Sequence, residues 1–262
     1  MDIQIKAKFM NYLFRMLSGQ YDHLPVGEIM DKDSEFIQAE YDDYFPIVSP
    51  EEVGISTETV LKLIKSLAGT QSVGLHGIAM IRHGKLFTEA YASPYGQEYR
   101  HISHSMCKSI TSMAVGKAVE EGYINLKERL VDIFPERVNL LTTRGIKRIK
   151  VIHLLTMSSG IKFNELSTVF EQDWIKGYFE SDVSFIPGSN FEYNSLNTYM
   201  LSVIIKKKTG KGLLEYITPT ILKPLGITDV TWEKCPLGYE KGGWGVKLSL
   251  LDMAKLGQLY LQ

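Results

Sequence analysis

The stretch His101-Ile-Ser-His-Ser105-Met-Cys-Lys108-Ser-Ile-Thr-Ser112 decides how this chain is read. Ser105 and Lys108 stand three residues apart, so on a helix they occupy adjacent edges of one face. At about 100° per residue, Ser105, Lys108, Ser109, Ser112 and Gly116 fall in one narrow stripe. Met106, Cys107, Ile110, Met113, Ala114 and Ala118 take the opposite side, with Lys117 among them only in the last turns. The helix expected over 105–121 is therefore mostly apolar, with a polar seam holding a single lysine. Burying a lysine lowers its pKa and makes a neutral amine available as a base. A serine at the helix N-terminus beside such an amine is a candidate nucleophile. The same spacing also arises by chance, and a lysine in it can reach out to solvent.

Composition narrows the classes around this motif. The chain has 262 residues, 44% of them apolar and 23% charged, an ordinary globular balance that is neither disordered nor fibrous. Its 29 Lys and Arg nearly cancel 30 Asp and Glu, leaving a net charge of −1. Neither a nucleic-acid nor a membrane-surface partner follows from that balance. No apolar stretch approaches the ~18–20 residues of a membrane-spanning helix. The two cysteines, Cys107 and Cys235, form no C-x-x-C pair and no disulfide framework. The amino terminus lacks the pattern of a signal peptide, so the chain is read as cytoplasmic, with reduced thiols.

Working outward, residues 1–47 read as an accessory lead-in, with an amphipathic helix near 5–18 and an acidic stretch from Asp31 to Asp43. The run Ser56–Leu67 has helical spacing at Val60, Leu61 and Ile64, with Ser56 as N-cap and Gly69 beyond its end. Gly77–Arg82 and Lys85–Tyr91 are β-rich and flank His83-Gly84, a hairpin turn of the positive-φ kind. Helices are expected at 148–157, ending near Gly160, at 195–208, at 212–223, stopped by Pro224-Leu225-Gly226, and at 250–261. Trp244–Leu248 is a short strand or a loop. Lys208-Thr209-Gly210 reads as the end of the 195–208 helix, its lysines at the negative end of the dipole and Gly210 as the αL cap.

Several segments in order resemble the serine β-lactamase-related family, which includes class C β-lactamases, penicillin-binding proteins and esterases. The branch most similar to it is the aminohexanoate-dimer hydrolase type. The matching pieces are Ser105-Met-Cys-Lys108, Val119–Leu126 with Asp132–Glu136, His153-Leu-Leu-Thr-Met-Ser-Ser-Gly160, Pro187–Tyr193, Leu222–Thr228 and Gly242–Gln262. The resemblance implies an α+β fold (an α/β sandwich) of β-lactamase/transpeptidase type: an antiparallel sheet flanked by helices, plus an all-helical subdomain. It further implies a hydrolase domain over 48–262. In that pattern the closing strands, with the third motif, are expected beyond residue 262, so the domain is read as lacking its C-terminal strands. An uncompleted sheet edge would then invite self-association.

The resemblance also assigns roles. Ser105 is the nucleophile of an acyl-enzyme, and Lys108 and Tyr193 handle its proton. Ser195 stands where class C enzymes carry an asparagine, which favours an ester or amide over a lactam. Ser195, Asn197 and Trp174 are the candidate substrate-binding residues. Trp174, Tyr178 and Phe179 either wall a cleft or pack the helical block. No metal or organic cofactor is expected. His101-x-x-His104 has a ligand-like spacing without a third ligand, and His153 reads as a hydrogen-bonded core histidine. Two other readings stand beside the hydrolase: a catalytically silent binding module of the same fold, and a Ser-His-Asp hydrolase using His104 or His153, which lacks a G-x-S-x-G elbow.

Overall fold

The computed structural model describes residues 44–262 other than 71–73 and 170. The described residues belong to one compact unit. The helix expected over 5–18 lies outside the described residues. In chain order the elements are α1 (Thr57–Ala68), β1 (Gly77–Arg82), β2 (Lys85–Tyr91), β3 (His101–Ile102), α2 (Cys107–Glu120), α3 (Leu130–Ile133), α4 (Val151–Leu155) and α5 (Trp174–Glu180). These are followed by α6 (Ser195–Thr209), α7 (Leu213–Ile217), β4 (Thr231–Trp232), β5 (Val246–Leu248) and α8 (Leu250–Leu261). Among the described residues no helix is long and apolar enough to cross a membrane.

The hairpin has the expected boundaries. His83 and Gly84 both take positive φ, 53° and 72°, so the two-residue turn matches the strands' twist. The segment 46–48 lies along the other side of β2, with Leu86 N–H donating to the Pro46 carbonyl and Val48 N–H to the Leu86 carbonyl. Phe45, Leu86 and Leu251 form a small apolar cluster joining that segment, the hairpin and α8. A second, three-stranded sheet has the order β3-β5-β4, all antiparallel. Its strands are two or three residues long, too short for a period-2 signal to be read.

The main core surrounds α6, in which every residue from Ser195 to Ile205 is buried. A helix buried on all sides is a central one. Asn194 caps it by accepting from the Leu196 N–H, and Gly210, at φ 76°, ends it. Lys207 pairs with Glu136 and Lys208 with Glu128, so Lys208-Thr209-Gly210 is a helix stop.

Three helices differ from expectation. α2 begins at Cys107, because His104–Met106 form a 3-10 turn entered through His104 at φ 27°. The 148–157 helix shrinks to Val151–Leu155 because its leading residues pair instead with the 128–130 strand-like segment. Leu130 N–H donates to the Ile149 carbonyl, and Val151 N–H to that of Glu128. The 212–223 helix is regular only to Ile217 and then widens into a π turn over Thr218–Leu222. Pro219 lacks a donor, and its ring crowds the carbonyl four residues back.

Candidate active site

Ser105 occupies the 3-10 turn before α2, between β3 and the helix, and its side chain is exposed. β3 is held by β5, and Ser103 N–H donates to the Val246 carbonyl at 2.9 Å. This places the serine at a fixed junction of sheet and helix. A residue such as His104 with φ at 27° is held there by its surroundings at some energetic cost.

Two side chains, Lys108 and Tyr193, converge on the serine, and Ser195 backs the lysine. Lys108 Nζ donates to Ser105 Oγ at 3.1 Å and to Ser195 Oγ at 3.0 Å. Tyr193 Oη donates to Ser105 Oγ at 2.7 Å, across 88 residues of sequence. Lys108 Nζ also lies 4.9 Å from the centroid of the Tyr193 ring. Burial pushes the Tyr193 phenol up, but its contacts with Lys108 and Ser105 outweigh that and hold it below the ordinary tyrosine value. Tyr193 is positioned from both sides. Glu192 N–H donates to the Met157 carbonyl, and Asn194 Nδ2 donates to the carbonyls of Ile161 and Phe163.

The lysine has a further partner that the sequence reading missed. Its Nζ donates to the Gly243 carbonyl at 2.6 Å. The neighbouring Gly242 carbonyl accepts from Thr111 Oγ1 at 2.9 Å. This glycine pair is wedged between α2 and α6. A Cβ at Gly242 would lie 2.7 Å from the Thr198 carbonyl oxygen, and one at Gly243 would lie 2.7 Å from that of Ser195. Only glycine lets the backbone approach so closely, and Gly242 also takes φ 63°. The Gly-Gly pair before Trp244 was the available signal.

The candidate substrate-binding residues separate. Ser195 is buried with its hydroxyl turned to Lys108, so it holds the lysine. Asn197 is fully buried, and its Oδ1 accepts from Ser159 Oγ at 2.7 Å and from Tyr178 Oη at 2.8 Å. Its donor faces Met157 Sδ, so its polar atoms are spent inside the block rather than on a ligand. Trp174 is 5% exposed, packed edge-on to Tyr199 and stacked on Trp244 at 5.8 Å. It belongs to the core with Tyr178 and Phe179, not to an open cleft wall. Cys107 is buried and its thiol is pushed up to about 12 by burial, which fits an inert core residue. His153 Nδ1 accepts from the Lys150 N–H at the start of α4.

The β-lactamase family profile matches residues 62–259 of the chain. The chain belongs to the β-lactamase family. It is similar to the ML-236A carboxylate methylbutanoyltransferase of Penicillium citrinum, at 26% identity over 49% of this chain and 36% of that protein. It is also similar to the 6-aminohexanoate-dimer hydrolase of Paenarthrobacter ureafaciens, at 24% identity over 70% of this chain and 50% of that one. The chain thus spans about a third to a half of the length of these curated relatives. Among solved structures, the D-alanine carboxypeptidase AmpC of Burkholderia cenocepacia superposes with a TM-score of 0.63 at 15% identity, over 80% of this chain and 64% of that one. The fold is accordingly the α+β fold of β-lactamase-family proteins.

Proposed function

We propose that this β-lactamase-family chain is a serine hydrolase that cleaves an ester or amide through an acyl-enzyme on Ser105. The observation that carries the reading is the convergence of Tyr193 Oη and Lys108 Nζ on one exposed serine oxygen, at 2.7 and 3.1 Å. Ser105 Oγ attacks the substrate carbonyl carbon, and its proton passes to the Tyr193–Lys108 pair. The pair returns the proton to the leaving alcohol or amine as the carbonyl re-forms. Water then adds to the acyl carbon, giving up a proton to the same pair, and the pair returns that proton to Ser105 Oγ as its bond to the acyl carbon breaks and the acid leaves. The Ser105 N–H supplies one amide to the developing oxyanion. Gly243 and Ser195 keep Nζ beside the serine and would not contact the reacting carbon.

A fluorophosphonate probe tests this reading. Labelling at Ser105 that disappears in Ser105→Ala supports the hydrolase; no labelling of the native chain favours a silent binding module of the same fold. A panel of p-nitrophenyl esters and a chromogenic cephalosporin then reads the substrate class. Esters are expected to turn over well ahead of the cephalosporin, because Ser195 is short and already committed to Lys108.

A further inference from the structure

The histidine that looked ligand-like in sequence has a different partner in space. His101 on β3 meets His76, which lies just before β1, with the two Nδ1 atoms sharing a hydrogen bond at 3.3 Å whose proton a bound metal would displace. Tyr95 stacks on His76 at 3.9 Å between ring centroids, and Tyr99 packs on His101 at 4.9 Å. The backbone holds both ends. Ala92 N–H donates to the His76 carbonyl, and His101 is paired with Leu248 of β5. Two imidazoles are therefore presented nitrogen to nitrogen by separate elements, with aromatic walls around them. His76 is exposed and His101 half-buried, so water reaches the pair.

The separation has a chemical meaning. Zinc binds imidazole nitrogen at about 2.0–2.1 Å, and at that length a 3.3 Å gap subtends about 107° at the ion, within a few degrees of the tetrahedral angle. Such an ion would sit about 1.2 Å off the line joining the nitrogens, and the broad χ2 wells of histidine let the rings turn toward it. We propose that His76 and His101 form a two-histidine site for a borderline divalent cation of the zinc type, with waters completing the coordination. Among the described residues no group of three or more His, Cys, Asp or Glu is arranged to hold a metal, so the two histidines are the ligands that the described residues offer. The bound ion would fasten the approach to β1 to β3, four residues before Ser105. This site is independent of the acyl-enzyme proposal.

The test is calorimetric titration of the whole chain with zinc sulfate near neutral pH, repeated on His76→Gln and His101→Gln. The native chain is expected to bind one equivalent. Each variant should lose more than about tenfold in affinity, since even an outer-shell partner of a metal is worth that much. Absence of saturable binding, or affinity unchanged in both variants, overturns the site. Cobalt chloride on the unaltered chain gives a readout that does not depend on the variants folding. An intense visible band reports tetrahedral coordination and supports the site; a pale octahedral spectrum overturns it.

Discussion

From Ser195 to Ile205, α6 buries every residue, whereas α1, of comparable length, buries Val60 alone. The same contrast runs through the elements around them. The helical block packs Leu130, Ile146, Ile149, Leu154, Tyr178 and Phe179 to complete or nearly complete burial. Outside it, α1 is mostly exposed, and the hairpin has a half-buried β1 and a small cluster built on Phe45, Leu86 and Leu251. Ser105, Lys108, Tyr193, Ser195 and Gly243 all belong to elements of the block or of the small sheet attached to it. The candidate chemistry thus sits on the densely packed region. A reacting group held within a fraction of an ångström needs neighbours that do not move, and a close-packed interior supplies them.

The sharpest test of that comparison changes the chemistry while sparing the packing. Lys108→Arg keeps a positive side chain at the seam but cannot give up its proton, so acylation should be abolished, a loss of at least about 10⁴-fold in kcat/KM. Steady-state hydrolysis of a p-nitrophenyl ester measures it, with a melting curve as control. A variant that folds normally and still acylates would remove Lys108 from the mechanism.

Tyr193→Phe should have the next largest effect, about 10²- to 10⁴-fold, the range of general acid–base catalysis. The sign of its pH dependence follows from the lowered phenol pKa. A lowered value means more phenolate at a given pH, so kcat/KM should rise with pH and level off below the value of about 10 expected for free tyrosine. That limb should vanish in Tyr193→Phe. A limb that survives the substitution would assign the base to another group.

Inside the block, Asn197→Ala tests packing rather than chemistry. It would leave the Ser159 and Tyr178 hydroxyls buried without their shared acceptor. Two stranded donors, at about 1–3 kcal/mol each, cost about 2–6 kcal/mol. Denaturant unfolding should show that loss, and a change under about 0.5 kcal/mol would mean the block relaxes more easily than its burial indicates.

How much of this was legible beforehand divides along physical lines. The hairpin was readable because Gly77–Tyr91 carries its own turn chemistry, and α6 because Asn194 and Gly210 mark its ends. The projection of α2 anticipated the exposed stripe of Ser105, Ser109, Ser112 and Gly116. Strands β3, β4 and β5 were not readable, since elements of two or three residues exist only through partners far away in sequence. Tyr193 was reached through family resemblance, while Gly243 was not, because the Gly242-Gly243 pair signals a close backbone approach without naming the side chain its carbonyl meets. Asn197 and Trp174 were misplaced for one reason: a polar or aromatic residue near a motif does not reveal whether its side chain turns toward the site or into the core.

The smallest effect belongs to the looser region. α1 turns Val60, Ile64 and Leu67 inward at helical spacing, and leaves Leu61 48% and Leu63 45% exposed. Leucine and glutamine have similar helix propensities, so Leu61→Gln and Leu63→Gln should alter little beyond surface already in contact with water. Each is expected to shift unfolding free energy by no more than about 0.5 kcal/mol, the usual range for surface substitutions. Urea unfolding of the two variants beside Asn197→Ala places all three on one scale. If either leucine proved as costly as Asn197, α1 would be packed in solution as tightly as α6. That region could not then be the loosely held partner of a rigid block, and the contrast between the two regions would fail at the helix that defines it.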